Sequence, residues 1–248
     1  MVDAAITELL RKWPLDSTHV HGGPGGLQLA QLAHAATRHG GKMALRAICV
    51  ELKRRPVASL PWHLRSKELV MYAAGHAETP ASLEFLLGMA SHAVHVVCRH
   101  RGFTLLHEAA FCRRPWNVRL LLAMRCDATL CSLIGETALH VACHGHCSRS
   151  FEVAEQLLAH NATLALVMDE SGLTPAERFK YTKKIWQRNL KREFNAEEQS
   201  LAANFEELLV TQVQEGTQHK RCRMCGIRAG RHTARDGRTF CAICGFIR

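Results

Sequence analysis

The sequence has no apolar run long enough to cross a bilayer, because a charge or a histidine interrupts every candidate stretch. Nor does its start read as a secretory signal: Asp3 and Glu8 flank only a short apolar patch, and acidic residues this early also argue against a typical mitochondrial targeting segment. Regular cysteine pairing is missing as well. Seven of the eleven cysteines (Cys49, Cys98, Cys112, Cys126, Cys131, Cys143, Cys147) scatter through helical patterns and read as buried free thiols, and the other four are spaced like metal ligands. That usage excludes a secreted disulfide scaffold and gives the expectation of an intracellular protein, in cytoplasm or nucleus with an organelle left open. No G-x-S-x-G, phosphate-cradling glycine loop or H-E-x-x-H occurs, so the expectation is that the protein is not an enzyme. Acidic residues are outnumbered, 22 against 32 basic ones, for a net charge of +10. What is abundant is apolar character: 47% of 248 residues, enough to bury a sizeable core in one or two domains.

That apolar character is periodic. Gly102-Phe103-Thr104-Leu105-Leu106-His107-Glu108-Ala109-Ala110 is echoed by Gly135-Glu136-Thr137-Ala138-Leu139-His140-Val141-Ala142, and a third copy begins Gly172-Leu173-Thr174-Pro175. Thr104 to Thr137 is 33 positions, as is His107 to His140; Thr137 to Thr174 is 37, an excess of four that fits an insertion around His146–Arg149. A threonine at a helix start can accept a bond from an otherwise orphaned N–H, and Thr174 with Pro175 and Glu177 adds a capping-box pattern. A second helix follows each copy, at Val118–Leu122 and Val153–Leu158. Each helix pair leaves an apolar face that only stacking can bury.

A period of 33 with G-x-T-x-L-H-x-A resembles the ankyrin repeat. The resemblance implies that His107 and His140 bond the turn between repeats rather than act in catalysis, and that Thr104, Thr137 and Thr174 are structural. It also implies a concave surface of loop tips (Arg99–Arg101, Cys131–Ile134, Met168–Ser171) and first helices that binds another protein. Cys143-His144-Gly145-His146-Cys147 has metal-ligating residue types, but Gly145-His146 falls where ankyrin repeats commonly end their first helix.

Residues 1–26 carry one amphipathic segment, Ala4–Trp13, and a loop containing His19 and His21, which reads as two exposed loop histidines. Leu27–Lys53 resembles a degenerate repeat, and Pro56 and Pro61 break the chain. Ser66–Met89 repeats the theme with Tyr72-Ala73-Ala74-Gly75-His76. About five units follow from this: 27–60, 66–98, 101–132, 134–168 and a cap from 171. Asn195 with Glu198 signals a further helix whose Leu201, Phe205, Leu208 and Leu209 share one face and should close the stack. Lys180, Lys183, Lys184, Arg188, Lys191 and Arg192 before it read as a solvated outer face, with a basic docking surface as the alternative.

After a polar linker, Gln214–Gln218, the chemistry changes. Cys222-Arg223-Met224-Cys225-Gly226 and Cys241-Ala242-Ile243-Cys244-Gly245 are two C-x-x-C-G turns, which resemble zinc-ribbon knuckles. Four thiolates complete a tetrahedral site with no open position, so one zinc is expected, in a structural role. Rubredoxin-like iron shares the knuckle geometry without other support, and a RING would need two interleaved sites. From Lys220 onward the charge is 8 − 1 = +7, with Arg221, Arg223, Arg228, Arg231, Arg235 and Arg238 as candidate contacts to nucleic acid or an acidic partner. Only Phe240 and Phe246 accompany them, so base stacking is poorly supported.

The sequence therefore predicts an all-α ankyrin-repeat solenoid at 27–213, preceded by an N-terminal helix and loop at 1–26 and followed by a basic zinc-binding module at 214–248. The expected function is a non-catalytic protein–protein adaptor. The alternative is a nucleoprotein subunit whose tail contacts the RNA or DNA backbone.

Overall fold

Alanines and leucines at helical spacing from Ser66 onward fold as a helical hairpin: α1 (Ser66–His76) and α2 (Pro80–Met89), followed by a short 3-10 turn, Ser91–His95. Pro80 stands at the first position of α2, where its missing N–H costs nothing. Leu69, Val70, Ala73 and Ala74 of α1 are buried with Leu83, Leu86 and Leu87 of α2. The computed structural model describes residues 33–39, 45–46, 48–50, 66–89, 91–145, 147–190, 194–216, 231–233 and 239–241. The chain divides into two compact units, Met1–Val97 and Cys98–Arg248.

In the first unit, residues 33–39 are helical, with Ala33, Ala36 and Thr37 buried. The Thr37 hydroxyl is satisfied by donating to the Ala33 carbonyl at 2.7 Å. The Glu78 N–H donates to the Arg38 carbonyl at 2.8 Å, and the His34 ring stacks on Tyr72 at 4.1 Å. Residues 1–26, with His19 and His21, and most of the expected unit 27–60 lie outside the described residues.

The second unit holds α3 (Leu105–Phe111), α4 (Pro115–Ala123), α5 (Ala138–Ala142), α6 (Ser148–His160), a 3-10 turn (Ala162–Leu166), α7 (Pro175–Leu190) and α8 (Ala196–Gly216). First helices pack on first helices (α3 on α5) and second on second (α4 on α6). Ala109, Ala110, Ala138 and Ala142 are 1% exposed or less, because side chains this small let the inner helices approach closely. At the far end Phe205 of α8 stacks on Phe179 at 4.5 Å and meets Phe151 edge-on at 5.7 Å, while Leu209 is fully buried. This aromatic layer closes the apolar face that the last repeat leaves open. Lys180, Lys184 and Arg188 on α7 are exposed, whereas Lys183 pairs with Glu206 of α8 at 2.9 Å; Lys191 and Arg192 lie outside the described residues.

The four extra positions between Thr137 and Thr174 are not around His146–Arg149, where spacing alone puts them. Pro115 opens α4 eleven positions after Thr104, and Ser148 opens α6 eleven after Thr137 (115 − 104 = 148 − 137 = 11). The excess comes later. Asp127 and Asn161 open equivalent turns, each accepting the N–H and hydroxyl of a threonine two residues on. These turns stand 23 positions after Thr104 (127 − 104) and 24 after Thr137 (161 − 137), so one extra residue precedes the turn and three follow it. The three are absorbed in the 3-10 turn, which completes a turn in three residues and buries Leu164, Ala165 and Leu166. A second correction concerns the linker: α8 continues to Gly216, so residues 214–216 are helical, as a stretch without proline permits. Beyond it, β1 (Arg231–Thr233) and β2 (Thr239–Cys241) form an antiparallel hairpin in which Arg231 is opposite Cys241, so the chain is not purely helical.

Candidate interaction surface

Three equivalent tips project from the second unit, each closed by the same backbone pattern. Cys98, Ser132 and Asp169 donate their N–H to Phe103, Glu136 and Leu173 carbonyls at 2.7, 2.8 and 2.9 Å. Each turn passes through a glycine at positive φ: Gly102 at 69°, Gly135 at 72° and Gly172 at 75°. Adjacent tips are then tied by backbone bonds, Leu133 N–H to the Arg101 carbonyl at 2.9 Å and Glu170 N–H to the Ile134 carbonyl at 3.2 Å. Tied in this way, the tips present exposed side chains: Arg99, His100 and Arg101 from the first, Cys131, Leu133 and Ile134 from the second, Glu170 and Ser171 from the third.

Two histidines fix the tips to the helices. Thr104 is the N-cap of α3 and Thr137 of α5, and His107 and His140 occupy the third helical position of their capping boxes. Nδ1 of His107 accepts the Thr104 N–H at 3.2 Å and lies 2.8 Å from its hydroxyl, while Nε2 donates to the Glu136 carbonyl at 2.8 Å in the next tip. His140 repeats this with Thr137 and the Leu173 carbonyl at 3.1 Å. Both bonds of each ring need the neutral tautomer with its proton on Nε2. Burial drives both pKa values below the ordinary range, that of His140 to about 4. In the third copy Glu177 replaces the histidine: it accepts the Thr174 N–H and hydroxyl, each at 2.8 Å.

A buried ionic network lies below the second and third tips. Arg178 of α7 donates to Asp169 through Nε at 3.0 Å and through its second guanidinium nitrogen, and its Nε lies 3.5 Å from Glu136. Glu136 also accepts from His144 Nε2 at 2.9 Å. Burial alone would raise the Glu136 pKa, but the His144 bond and the charges of His144 and Arg178 bring it below the ordinary value. The Thr182 hydroxyl lies 3.0 Å from the carbonyl of Cys143, the C-cap of α5, and 2.9 Å from that of Arg178 within α7. None of Glu136, Asp169 and Arg178 stands out in the sequence, since nothing in residue type separates a buried carboxylate from a solvated one. The paired Asp127-Ala128-Thr129 and Asn161-Ala162-Thr163 turns, by contrast, are visible there as a further repeat signal.

Among the described residues of this unit no three metal-ligating side chains come together. Cys143 is buried and its thiol pushed up, His144 is taken by Glu136, and Cys147 lies 3.4 Å from the Ser150 hydroxyl. The expected free thiols Cys49, Cys126 and Cys143 are buried and Cys98, Cys112 and Cys147 half-buried, but Cys131 is exposed on a tip. Of the expected metal ligands, Cys241 is in β2, and Cys222, Cys225 and Cys244 lie outside the described residues. Of the candidate tail contacts, Arg231 is in β1, and Arg221, Arg223, Arg228, Arg235 and Arg238 lie outside them.

Residues 134–169 match the ankyrin repeat family. Among solved structures, the chain is similar to the ankyrin repeat domain of Bcl-3, described as a unique member of the IkappaB protein family, at 19% identity with a TM-score of 0.46 over 71% of this chain and 76% of that one. No curated protein matches the chain. The tips and capped first helices at 101–132 repeat the geometry of the matched segment.

Proposed function

We propose that this protein is a non-catalytic adaptor that binds another protein on the side-chain surface of its repeat tips and first helices. The observation that carries this reading is the tip ladder. Backbone bonds from Leu133 to Arg101 and from Glu170 to Ile134 tie adjacent tips together, while the Leu133 and Ile134 side chains remain 61% and 53% exposed. Exposed apolar side chains on a backbone fixed at both ends lose little conformational freedom on binding, so partner contact costs less there than on a free loop. No helix among the described residues is long and apolar enough to cross a membrane.

The tail completes the proposal. Cys222, Cys225, Cys241 and Cys244 would hold one zinc as four thiolates, a donor set that suits a closed structural site. The antiparallel pairing of Arg231 with Cys241 supports this, since it folds the chain between the two C-x-x-C turns back on itself. A second reading, a nucleoprotein subunit, is favoured by the +7 charge from Lys220 onward (8 − 1) and its predominance of arginine. Affinity purification of the tagged full-length protein from its own cells, divided into nuclease-treated and untreated halves, separates the two. The adaptor reading expects a defined set of proteins that survives nuclease; partners that vanish with it would replace the adaptor reading by the nucleoprotein one.

A further inference from the structure

The three tips do not present the same chemistry. Along the ladder the exposed side chains run from Arg99, His100 and Arg101, through Leu133 and Ile134, to Glu170 and Ser171. The order is cationic, apolar, acidic, in three adjacent steps tied to one another by the Leu133–Arg101 and Glu170–Ile134 backbone bonds.

The cationic step is also pre-shaped. The Arg101 guanidinium lies 5.3 Å from the Phe103 ring centroid and 5.1 Å from that of Phe111, and Phe111 is 45% exposed. Beside this edge-to-face ring pair the Arg101 guanidinium is steadied by both rings while the residue stays exposed, and a planar guanidinium suits a carboxylate. Glu108 offsets part of the Arg101 charge from the adjacent helix. Arg99 and Glu170, at the two ends of the ladder, have no ion-pair partner among the described residues.

We infer that the ladder recognises an extended segment of a partner protein with one order of side chains: acidic against Arg99 and Arg101, a large apolar residue on Leu133 and Ile134, and basic against Glu170. This rests on the adaptor reading and specifies its partner. A segment with the reverse charge order would set carboxylates against Glu170 and cations against the arginines, so the ladder also fixes the orientation in which the segment lies.

The test is selection of a phage-displayed library of random 12-residue peptides on the full-length protein, followed by fluorescence-anisotropy titration of the enriched peptides. The expected consensus has an acidic and a basic position flanking an apolar one. Arg101→Glu, Leu133→Asp and Glu170→Lys should each weaken the selected peptide about threefold or more. Reversing the peptide's basic residue to an acid should restore binding to Glu170→Lys alone. An unchanged helical circular dichroism signal in each variant shows that binding, and not folding, was altered. Enriched peptides without the acid–apolar–base order, peptides indifferent to all three variants, or no enrichment would overturn the inference. The adaptor reading is judged separately: nuclease-resistant partners that co-purify equally with wild type and with the three variants would keep the adaptor and remove the tip code.

Discussion

His140 is fully buried, with one ring nitrogen accepting from Thr137 and the other donating to the Leu173 carbonyl, so the fold can hold it only as the neutral ring. Its pKa falls to about 4 in the folded chain from 6.5 in the unfolded one. Between those values the unfolded chain carries a proton on this ring and the native chain does not. Unfolding therefore takes up a proton, and stability rises with pH across that window. The contribution is fully present above pH 6.5 and is lost as pH falls toward 4, about 3 kcal/mol over the whole window. His107 shifts in the same direction for the same reason. Glu136 has a depressed value and loses its contribution only below its unfolded 4.5, so its acid loss lies under that of the histidines rather than on top of it. Urea unfolding followed at intervals from pH 7.5 to 4.5 should show a steady fall in stability, with a shallower slope in His140→Asn. A flat profile, or an undiminished slope in that variant, would contradict buried neutral histidines. Arg125 makes a second point at this scale. It ends α4 at φ 60°, with its N–H bonded to Leu122 and that of Cys126 to Leu121, a helix stop that glycine occupies without strain. Arg125→Gly should accordingly raise the midpoint of urea unfolding by the equivalent of about 0.5–1 kcal/mol, the left-handed strain removed less the extra freedom of the unfolded glycine.

The tips work as elements because each glycine meets a different neighbour. A Cβ on Gly102 would lie 2.7 Å from the Leu133 backbone nitrogen, and one on Gly135 would lie 2.8 Å from that of Glu170, the two donors of the ladder. On Gly172 it would meet only the flexible end of Met168 at 3.5 Å. All three share the left-handed backbone, so alanine costs each about 1–2 kcal/mol in strain. At Gly102 and Gly135 the loss of a ladder bond adds about 1 kcal/mol or more. Gly102→Ala and Gly135→Ala should thus unfold at lower urea than Gly172→Ala, and equal effects would mean that the ladder contributes nothing. The same logic explains how the copies were legible. Gly-x-Thr, and His three residues after Thr, are each demanded by a local bond, so they recur at fixed spacing and could be read. Glu177 stands where the earlier copies have histidine and completes a capping box, accepting the Thr174 N–H while its own N–H donates to the Thr174 hydroxyl. The insertion is misplaced when only the Gly-x-Thr starts are aligned, because the signal that locates it is the weaker pairing of Asp127-Ala128-Thr129 with Asn161-Ala162-Thr163. The Glu136–Asp169–Arg178 network was not legible, because its members become special only when α7 docks over the second tip.

At the scale of the molecule, the tail and the repeats are expected to fold as two units. Among the described residues, Phe205 and Leu209 of α8 are buried at the end of the stack, with Phe205 packed on Phe179 and Phe151. A segment of about 30 residues from Lys220 onward has too small a core to order itself without a staple, so metal should supply most of its stability. The packed α8 end and the expected metal dependence of the tail together predict a separation. Removing residues 217–248 should leave the helical circular dichroism signal and its cooperative urea transition in place, while replacing Cys222 and Cys225 together by Ser should abolish bound zinc, read by elemental mass spectrometry as a fall from one ion per chain to none. Loss of helical cooperativity on truncation would make the tail part of the repeat core. Absence of zinc in the wild type, or its retention in the double variant, would remove the four-thiolate site and with it the reason to expect a folded tail. If both expectations hold, the arginines from Arg221 to Arg238 are carried on a separately stabilised piece, and their partner can be changed without touching the tips.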